Sequence, residues 1–453
     1  MRMKSPVVSP FLTCLIPVYL CLALLPAFAA DTAEAKDRTR QTLLYGIDSQ
    51  VIDAVQSIRS AQDTGFTGEL LQILNGQRSP EVQKAVFDLF KDQKIRDGEG
   101  RGKAILAAWQ DTQDALLIAA IQYLAAITSP GLASGLAPLV DAGSSAVALA
   151  AIQAMGTSGD KAAAALLVAK LKSPDFPDAR KNDVILALGA LKDPLAVEVL
   201  LLLAGSTDEE KVRRMYAADS LGKIGDARAL PVLRTMFAEN DAQIRLYAAS
   251  ALSRFGIEEV FPSIIQGLRD GNVKVREQSA KALTRQLGSS QAETAVPILS
   301  YKAERDPEPS VRVASIQALG AIGGDAATKM LLKIYSGADH PLDSRETALG
   351  ILAAKSHSLS RESIRAVVAK EWSSYDTRTL ESTAKVLAAT RSSDLKDLFV
   401  RFLDSPDPVV RSYGVRGIGA NGFSDLKDRV KKMSEQDPNP GTRQEAALSL
   451  ARL

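Results

Sequence analysis

The segment Ile244-Arg-Leu-Tyr-Ala-Ala-Ser-Ala-Leu252 is the best guide to the fold, because related segments recur along nearly the whole chain. Thirteen such segments follow one another at intervals of 31 to 36 residues. A period of this size indicates stacked helical repeats, in which each unit packs only on its neighbours. In the other segments the position of Arg245 is taken, in chain order, by Gln50, Gln83, Leu116, Ala148, Lys181, Arg214, Arg276, Arg312, Arg345, Arg378, Arg411 and Arg443.

Each repeat is predicted to contain two helices, the second of which carries the recurrent segment. Turns such as Ser405-Pro-Asp-Pro408 and Asp306-Pro-Glu-Pro309 precede it, and proline suits the first turn of a helix. We therefore predict an all-α solenoid of about 13 two-helix repeats. Glycines that recur near the end of the second helix are interpreted as helix C-termini, at Gly156, Gly189, Gly222, Gly320 and Gly419.

The pattern Arg-x-x-Ala-Ala-x-Ala-Leu-Gly-x-Ile-Gly-Asp is matched best at Arg214 to Asp226, Arg245 to Gly256 and Arg312 to Gly323. It resembles the HEAT repeat, in the short variant called HEAT-like or PBS-lyase-like, of an exported bacterial type. The resemblance covers about residues 32–453 and implies a right-handed superhelix whose second helices line a concave face. It implies no single activity, because one fold serves many functions.

The N-terminus has the pattern of a secretory signal. A basic start is followed by the apolar stretch Phe11 to Leu25 and by the small-x-small sequence Ala27-Phe-Ala29. We predict a signal peptide over residues 1–29 and a single solenoid over 30–453, which places the protein in the periplasm or outside the cell. An uncleaved membrane anchor is the alternative. The shortness of the apolar stretch and Pro17 within it favour cleavage, which would leave no membrane span.

Removal of this segment changes what the composition means. Cys14 and Cys21 both lie in it, so the mature chain has no thiol for a disulfide, a nucleophile or a metal ligand. Without Arg2 and Lys4, 53 basic residues face 53 acidic ones. Because nucleic-acid binding relies on a basic surface, a chain of nearly zero net charge is a poor candidate for it.

The arginines at the recurrent position form a ladder whose meaning a helical wheel clarifies. At about 100° per residue, the apolar positions −1, +3, +4 and +7 place the arginine at the edge of the core. Its guanidinium is therefore predicted to join neighbouring turns. Repeats without this arginine are predicted to be joined by packing alone. The predicted carboxylate mates precede the second helices, at Asp208, Asp241, Asp270, Asp306, Asp339, Asp376, Asp404 and Asp437.

The same wheel turns positions +2, +5 and +9 away from the core. In three adjacent repeats these positions combine two tyrosines with basic residues, a composition common in protein-binding hot spots. The alternative is a solvated helix face that happens to carry two tyrosines. The candidate protein-binding residues are Tyr216, Lys223, Tyr247, Arg254, Lys281 and Arg285.

Catalytic motifs are not evident in the sequence. The two histidines, His340 and His357, have no metal-ligand spacing, and the glycines follow the repeat rather than a phosphate-binding loop. We therefore expect no catalytic residue, cofactor or metal, and a non-enzymatic scaffold of the cell envelope that binds a protein partner. The PBS-lyase-like resemblance leaves one alternative, an enzyme acting on a bilin chromophore, which absorption of the protein with added bilin would reveal.

Overall fold

Helices form all the regular structure that the computed structural model describes, which covers residues 34–284, 287–355, 358–373 and 377–453. The predicted signal peptide, Arg285 and His357 lie outside the described residues. Twenty-six α-helices occur within those ranges, α1 to α26, and they pair into thirteen repeats. The prediction of an all-α solenoid of two-helix repeats is confirmed.

The residues up to Leu200 form one compact unit. Its even-numbered helices pack on one another in sequence, from α2 to α10, and carry the recurrent segment. The helices are α1 (34–45), α2 (Asp48–Ala61), α3 (Thr67–Asn75), α4 (Pro80–Gln93), α5 (Glu99–Ala107), α6 (Asp114–Ala126), α7 (Leu132–Leu136), α8 (Ser145–Thr157), α9 (Ala162–Lys172) and α10 (Asp178–Leu191).

A second compact unit begins at Leu201, within α11 (Val197–Gly205). Its even-numbered helices again form one layer, and each odd-numbered helix packs beside an even one. The helices are α12 (Lys211–Ile224), α13 (Leu230–Phe237), α14 (Ala242–Leu252), α15 (Ile257–Gly267), α16 (Val273–Ala282), α17 (Ser289–Arg305), α18 (Pro309–Ile322), α19 (Gly324–Ser336), α20 (Leu342–Ala354), α21 (Ser358–Ser373), α22 (Thr377–Ala389), α23 (Lys396–Phe402), α24 (Pro408–Asn421), α25 (Lys427–Gln436) and α26 (Pro440–Leu450).

The recurrent segment forms the buried face of each second helix. In α14, Ile244, Ala248, Ala249 and Leu252 are all buried, at the positions −1, +3, +4 and +7 that the helical wheel assigns to the core. Three other second helices, α18, α24 and α26, begin at a proline as predicted. The proline fixes a helical φ where the missing N–H has no partner in the helix.

The recurrent glycines have a different role from the one predicted. They lie inside the second helices, and the positive-φ glycines that end α12 and α24 are Gly225 and Gly422, three residues later. A Cβ on the interior glycine would meet the following second helix at 2.7 to 3.0 Å. The interpretation as helix ends is therefore wrong, because these glycines let adjacent helices approach closely: Gly156, Gly222, Gly320 and Gly419.

Lys192→Gly is expected to stabilise the protein by about 0.5–1 kcal/mol. Lys192 ends α10 at φ 56°, a left-handed conformation that a side chain disfavours and glycine tolerates. The reciprocal change, Gly225→Ala, forces a side chain into φ +75° with open space around it, so it should destabilise by about 1 kcal/mol. Urea unfolding followed by circular dichroism measures both. If both variants were as stable as the unaltered protein, the role assigned to backbone strain would be contradicted.

Candidate functional site

The ladder arginines bind the turn that precedes their own helix. In five repeats, Nη1 of the arginine donates to the carbonyl oxygens five and six residues upstream, over distances of 2.6 to 3.3 Å. The guanidinium therefore satisfies carbonyls that the turn leaves without helical partners. The five are Arg245, Arg276, Arg312, Arg411 and Arg443.

Some of these arginines also bind a carboxylate of the next repeat through two parallel hydrogen bonds. Arg276 donates Nε and Nη2 to Asp306 at 2.9 and 3.0 Å, and Arg245 binds Asp270 at 2.8 and 3.0 Å. Arg411 binds its acid, Asp437, in the same way at 2.8 and 2.9 Å. Each pair connects the turns of two successive repeats, so the ladder acts as a series of joints.

Burial and the neighbouring cations shift the pKa of the acids in these joints in opposite directions. The Asp306 side chain is completely buried, and this burial raises its pKa. Hydrogen bonds from Arg276, from the backbone N–H of Glu308 and from Lys302 outweigh burial and hold the pKa below its usual value. Asp306 is therefore ionised at neutral pH and depends on its cations.

Two joints use an acid that the sequence pattern did not select. Arg214 binds Glu239, and Arg345 Nη2 binds Glu371 at 2.8 Å. Both arginines also donate Nε to the carbonyl ten residues upstream. Asp241, the predicted mate in the first case, accepts from Lys211 at 2.6 Å.

Arg378 does not lie where the ladder assigns it. It is exposed in the first turn of α22, whereas Thr379 and Leu380 are buried. Leu380 is followed at +3, +4 and +7 by the buried residues Thr383, Ala384 and Leu387, so it takes the ladder register in this repeat. The assignment of Arg378 from spacing alone is therefore two residues out of register.

Polar joints also occur in the first unit, so the expectation of packing alone is wrong there. Gln83, at the ladder position, is buried and donates Nε2 to the carbonyl of Arg78 at 2.8 Å. Arg78 and Arg180 lie outside the ladder position and bind carbonyls of the preceding repeat. Their acceptors are Leu44 and Gly46 for Arg78 and Val140 and Ala142 for Arg180.

The structure brings the two predicted tyrosines together. The rings of Tyr216 on α12 and Tyr247 on α14 are 6.5 Å apart between centroids and tilted by 56°. Both residues are half-buried. We call the surface formed by these two residues with Asp219, Lys223, Arg254, Lys274, Glu277 and Lys281 the tyrosine strip.

Two acids fix the basic residues of the tyrosine strip. Asp219 accepts from Lys223 at 2.8 Å and from Arg254 at 2.9 Å, so these predicted residues lie side by side. Lys281 binds Glu277 at 2.5 Å, and hydrogen bonds from Lys281, Lys274 and Ser310 outweigh burial and lower the pKa of Glu277 to about 2. The strip therefore combines the aromatic pair with two ordered sets of charges, one around Asp219 and one around Glu277. Arg285, the remaining predicted residue, lies outside the described residues.

A family model described as Spirochaete HEAT repeat protein matches residues 43–450 of the chain. The chain belongs to this family. No curated protein matches the chain significantly.

Solved structures of importin-β proteins share this fold. Yeast importin-β (Kap95p) is 15% identical over 93% of this chain and 67% of that chain, with a TM-score of 0.58. A structure of Kap95p with RanGDP is 13% identical over the same shares, with a TM-score of 0.54. Identities this low show that the HEAT-repeat fold is shared and nothing about activity.

Another Tyr-Arg pair lies near the end of this HEAT-repeat protein. The guanidinium of Arg416 stands 5.4 Å from the centroid of the Tyr413 ring and is held by two hydrogen bonds to Glu445. A cavity of about 320 Å³ opens beside these three residues, with Pro408 and Val409 on its apolar side. Tyr413 occupies the +2 position, as Tyr216 and Tyr247 do, so this position is aromatic in three HEAT repeats.

The described part of the HEAT repeats has neither a metal-ligating cluster nor a helix suited to crossing a membrane. Among the described residues, no three His, Cys, Asp or Glu side chains converge as metal ligands would. No helix within these ranges has the length and apolar composition that crossing a bilayer requires. His340 lies in the turn before α20 and is half-buried.

Proposed function

We propose that this HEAT-repeat protein is a non-enzymatic scaffold that binds a partner protein through the face formed by its second helices. In the arrangement that the resemblance implies, this is the concave face. The observation that carries the proposal is the tyrosine strip, where Tyr216 and Tyr247 lie in contact beside a fixed set of cations.

Two properties of the strip and one structural likeness support a protein partner. Tyrosine and arginine dominate the residues that contribute most to protein binding, because they combine large contact area with polar ends. The side chains stand on helices whose joints, such as Arg245 with Asp270, hold neighbouring repeats together. Kap95p, whose fold is shared, binds RanGDP. We propose that this chain likewise presents its helical surface to a protein.

We also propose that the scaffold works outside the cytoplasm, in the periplasm or after secretion. This rests on the basic, apolar and small-residue pattern of residues 1–29. Mass spectrometry of the protein purified from its native cell determines the N-terminal residue. A mature chain starting at Ala30 or Asp31 supports export, and an intact Met1 in a cytoplasmic fraction contradicts it.

Tyr247→Ala combined with Arg254→Ala is expected to reduce capture of the partner at least about tenfold. The two substitutions remove one ring of the aromatic pair and an exposed guanidinium, while Asp219 keeps its bond to Lys223. The measurement is affinity capture from native envelope extract, with quantitative mass spectrometry of the proteins retained.

A matched control tests whether the loss of capture is specific to the tyrosine strip or follows from replacing any exposed tyrosine and arginine. Tyr301 and Arg305 are exposed on α17, a first helix of the same unit, so Tyr301→Ala with Arg305→Ala removes the same side-chain types elsewhere. The control should capture the partner normally. Both variants should melt as the unaltered protein does. Equal capture by the two variants would exclude the tyrosine strip as the binding surface.

A further inference from the structure

We infer that the tyrosine strip binds an extended, acidic segment of the partner protein. The inference rests on the proposed function and adds the chemistry of the partner. It follows from how the charges of the strip are paired, from the number that remain in excess and from the span of the three helices.

The acids of the strip are fully engaged within it. Asp219 uses Oδ2 for Lys223 and Oδ1 for Arg254. Glu277 uses Oε1 for Lys281 and Oε2 for Lys274. Each of the four carboxylate oxygens thus accepts a charge-assisted hydrogen bond, so neither acid is well placed to receive a cation from a partner.

The cations of the strip keep most of their donors. Lys223, Arg254, Lys274 and Lys281 outnumber the two acids by two charges. An ammonium has three N–H donors and a guanidinium has five, and the bonds to the acids use only some of them. Exposed donors with an excess of positive charge favour a carboxylate-rich ligand.

The excess is local, because the whole chain has 55 basic and 53 acidic residues. A uniformly basic protein would attract any polyanion, whereas this strip combines a small excess of charge with two tyrosine rings. The rings offer apolar faces and hydroxyl groups, which suit peptide backbone and side chains. These features favour an acidic peptide over nucleic acid.

The span of the strip sets the length of the ligand. It lies on α12, α14 and α16, and helices that pack side by side have axes about 8–10 Å apart. Three helices therefore extend over about 20 Å, which an extended chain covers with about six residues. A probe of eight residues reaches every cation of the strip.

The test measures fluorescence anisotropy of labelled octaglutamate with the full chain at 50 mM NaCl. Octaglutamate should bind, and its Kd should rise at least about fivefold at 300 mM NaCl because the contacts are exposed. Lys223→Ala with Lys281→Ala should raise the Kd about tenfold. Each acid keeps one cation in this variant, through Arg254 and Lys274, so the fold is retained.

The control removes the same charge from first helices of the same unit. Lys329 on α19 and Lys432 on α25 are exposed, and Lys329→Ala with Lys432→Ala should leave the Kd unchanged. Octalysine and an eight-nucleotide oligothymidylate serve as competing ligand classes. The inference is overturned if either binds as tightly as octaglutamate, or if the two lysine variants behave alike.

The outcomes also separate this inference from the proposed function. If Tyr247→Ala with Arg254→Ala abolishes capture of the partner while octaglutamate does not bind, the strip is a binding surface for another chemistry. If octaglutamate binds as expected while capture is unaffected, the chemistry of the strip is right and the captured partner binds elsewhere.

Discussion

Arg276→Ala is expected to lower the free energy of unfolding of the second unit by about 3 kcal/mol. The side chain of Asp306 is fully buried and that of Arg276 is 10% exposed, so solvent cannot replace the guanidinium. Removing one partner of a buried ion pair leaves a charge without compensation, at about 3–5 kcal/mol. Lys302 remains 3.1 Å from Asp306 and compensates part of its charge. We therefore expect a loss of stability at the lower end of this range.

Urea unfolding followed by circular dichroism measures this effect, and two further variants identify its cause. Arg365→Ala breaks an ion pair with Asp397 in which both side chains are largely exposed, so it should cost at most about 1 kcal/mol. Arg276→Met with Asp306→Leu and Lys302→Met removes all three charges of the joint and should recover much of the loss. Similar losses for Arg276→Ala and Arg365→Ala would show that burial does not strengthen the joint.

The pH dependence of the same variants provides an independent check. The pKa of Asp306 is depressed in the folded protein, so its contribution to stability is complete above the unfolded pKa, about 3.9. The contribution is lost as the pH falls through the depressed pKa of the folded state. The stability difference between the unaltered protein and Arg276→Ala should therefore shrink as the pH falls, because protonation of Asp306 removes the charge that Arg276 compensates.

The period of the recurrent segment was sufficient to predict the repeat number and the helix faces, because both follow from simple geometry. The core positions around Arg245 are those that the 3.6-residue period assigns. The outward position +2 also places Tyr216 and Tyr247 in contact, since equivalent positions of adjacent repeats are neighbours in the layer. Regular spacing along the chain becomes regular spacing in the structure.

The partners of the ladder could be predicted only in part. The structure has Asp270 against Arg245 as predicted, but against Arg214 it has Glu239, two residues before the predicted Asp241. Arg378 shows the same limitation, since Leu380 takes the buried register in its repeat. Spacing measured across a turn locates a position only to within a residue or two.

The charges of the tyrosine strip illustrate what one sequence reveals and what it does not. Lys223 with Asp219 and Lys281 with Glu277 are four residues apart on one helix, so the sequence itself indicates these pairs. Arg254 reaches Asp219 across 35 residues, from the next repeat. That contact depends on how closely α12 and α14 approach, which a glycine controls.

Gly222→Ala is expected to destabilise the second unit by about 1–3 kcal/mol, the usual cost of overpacking. The added Cβ would lie 2.7 Å from Cα of Ala251 and 3.0 Å from Nη1 of Arg254. Because the first of these atoms belongs to the backbone of α14, relief requires the two helices to separate. Alanine is otherwise favoured over glycine within a helix by about 1 kcal/mol, so a net loss would reveal the close approach.

Gly350→Ala is the matched control, since Gly350 lies inside α20, another second helix of the unit. Its Cβ would stand 3.7 Å from the nearest atom, a side-chain carbon of Val386, which is ordinary contact. This variant should be neutral or more stable by up to about 1 kcal/mol. If Gly350→Ala lost as much stability as Gly222→Ala, both effects would come from replacing a helical glycine and not from the close approach of two helices.

The same substitution connects packing to binding. Separation of α12 from α14 would move Tyr216 away from Tyr247 and lengthen the contact between Arg254 and Asp219. Gly222→Ala should therefore weaken capture of the partner even at temperatures where the protein remains folded, whereas Gly350→Ala should not. Normal capture by a destabilised but folded Gly222→Ala protein would show that the binding surface tolerates this displacement. The tyrosine pair would then act as two separate contacts, because only a joint aromatic surface depends on the close approach of the helices.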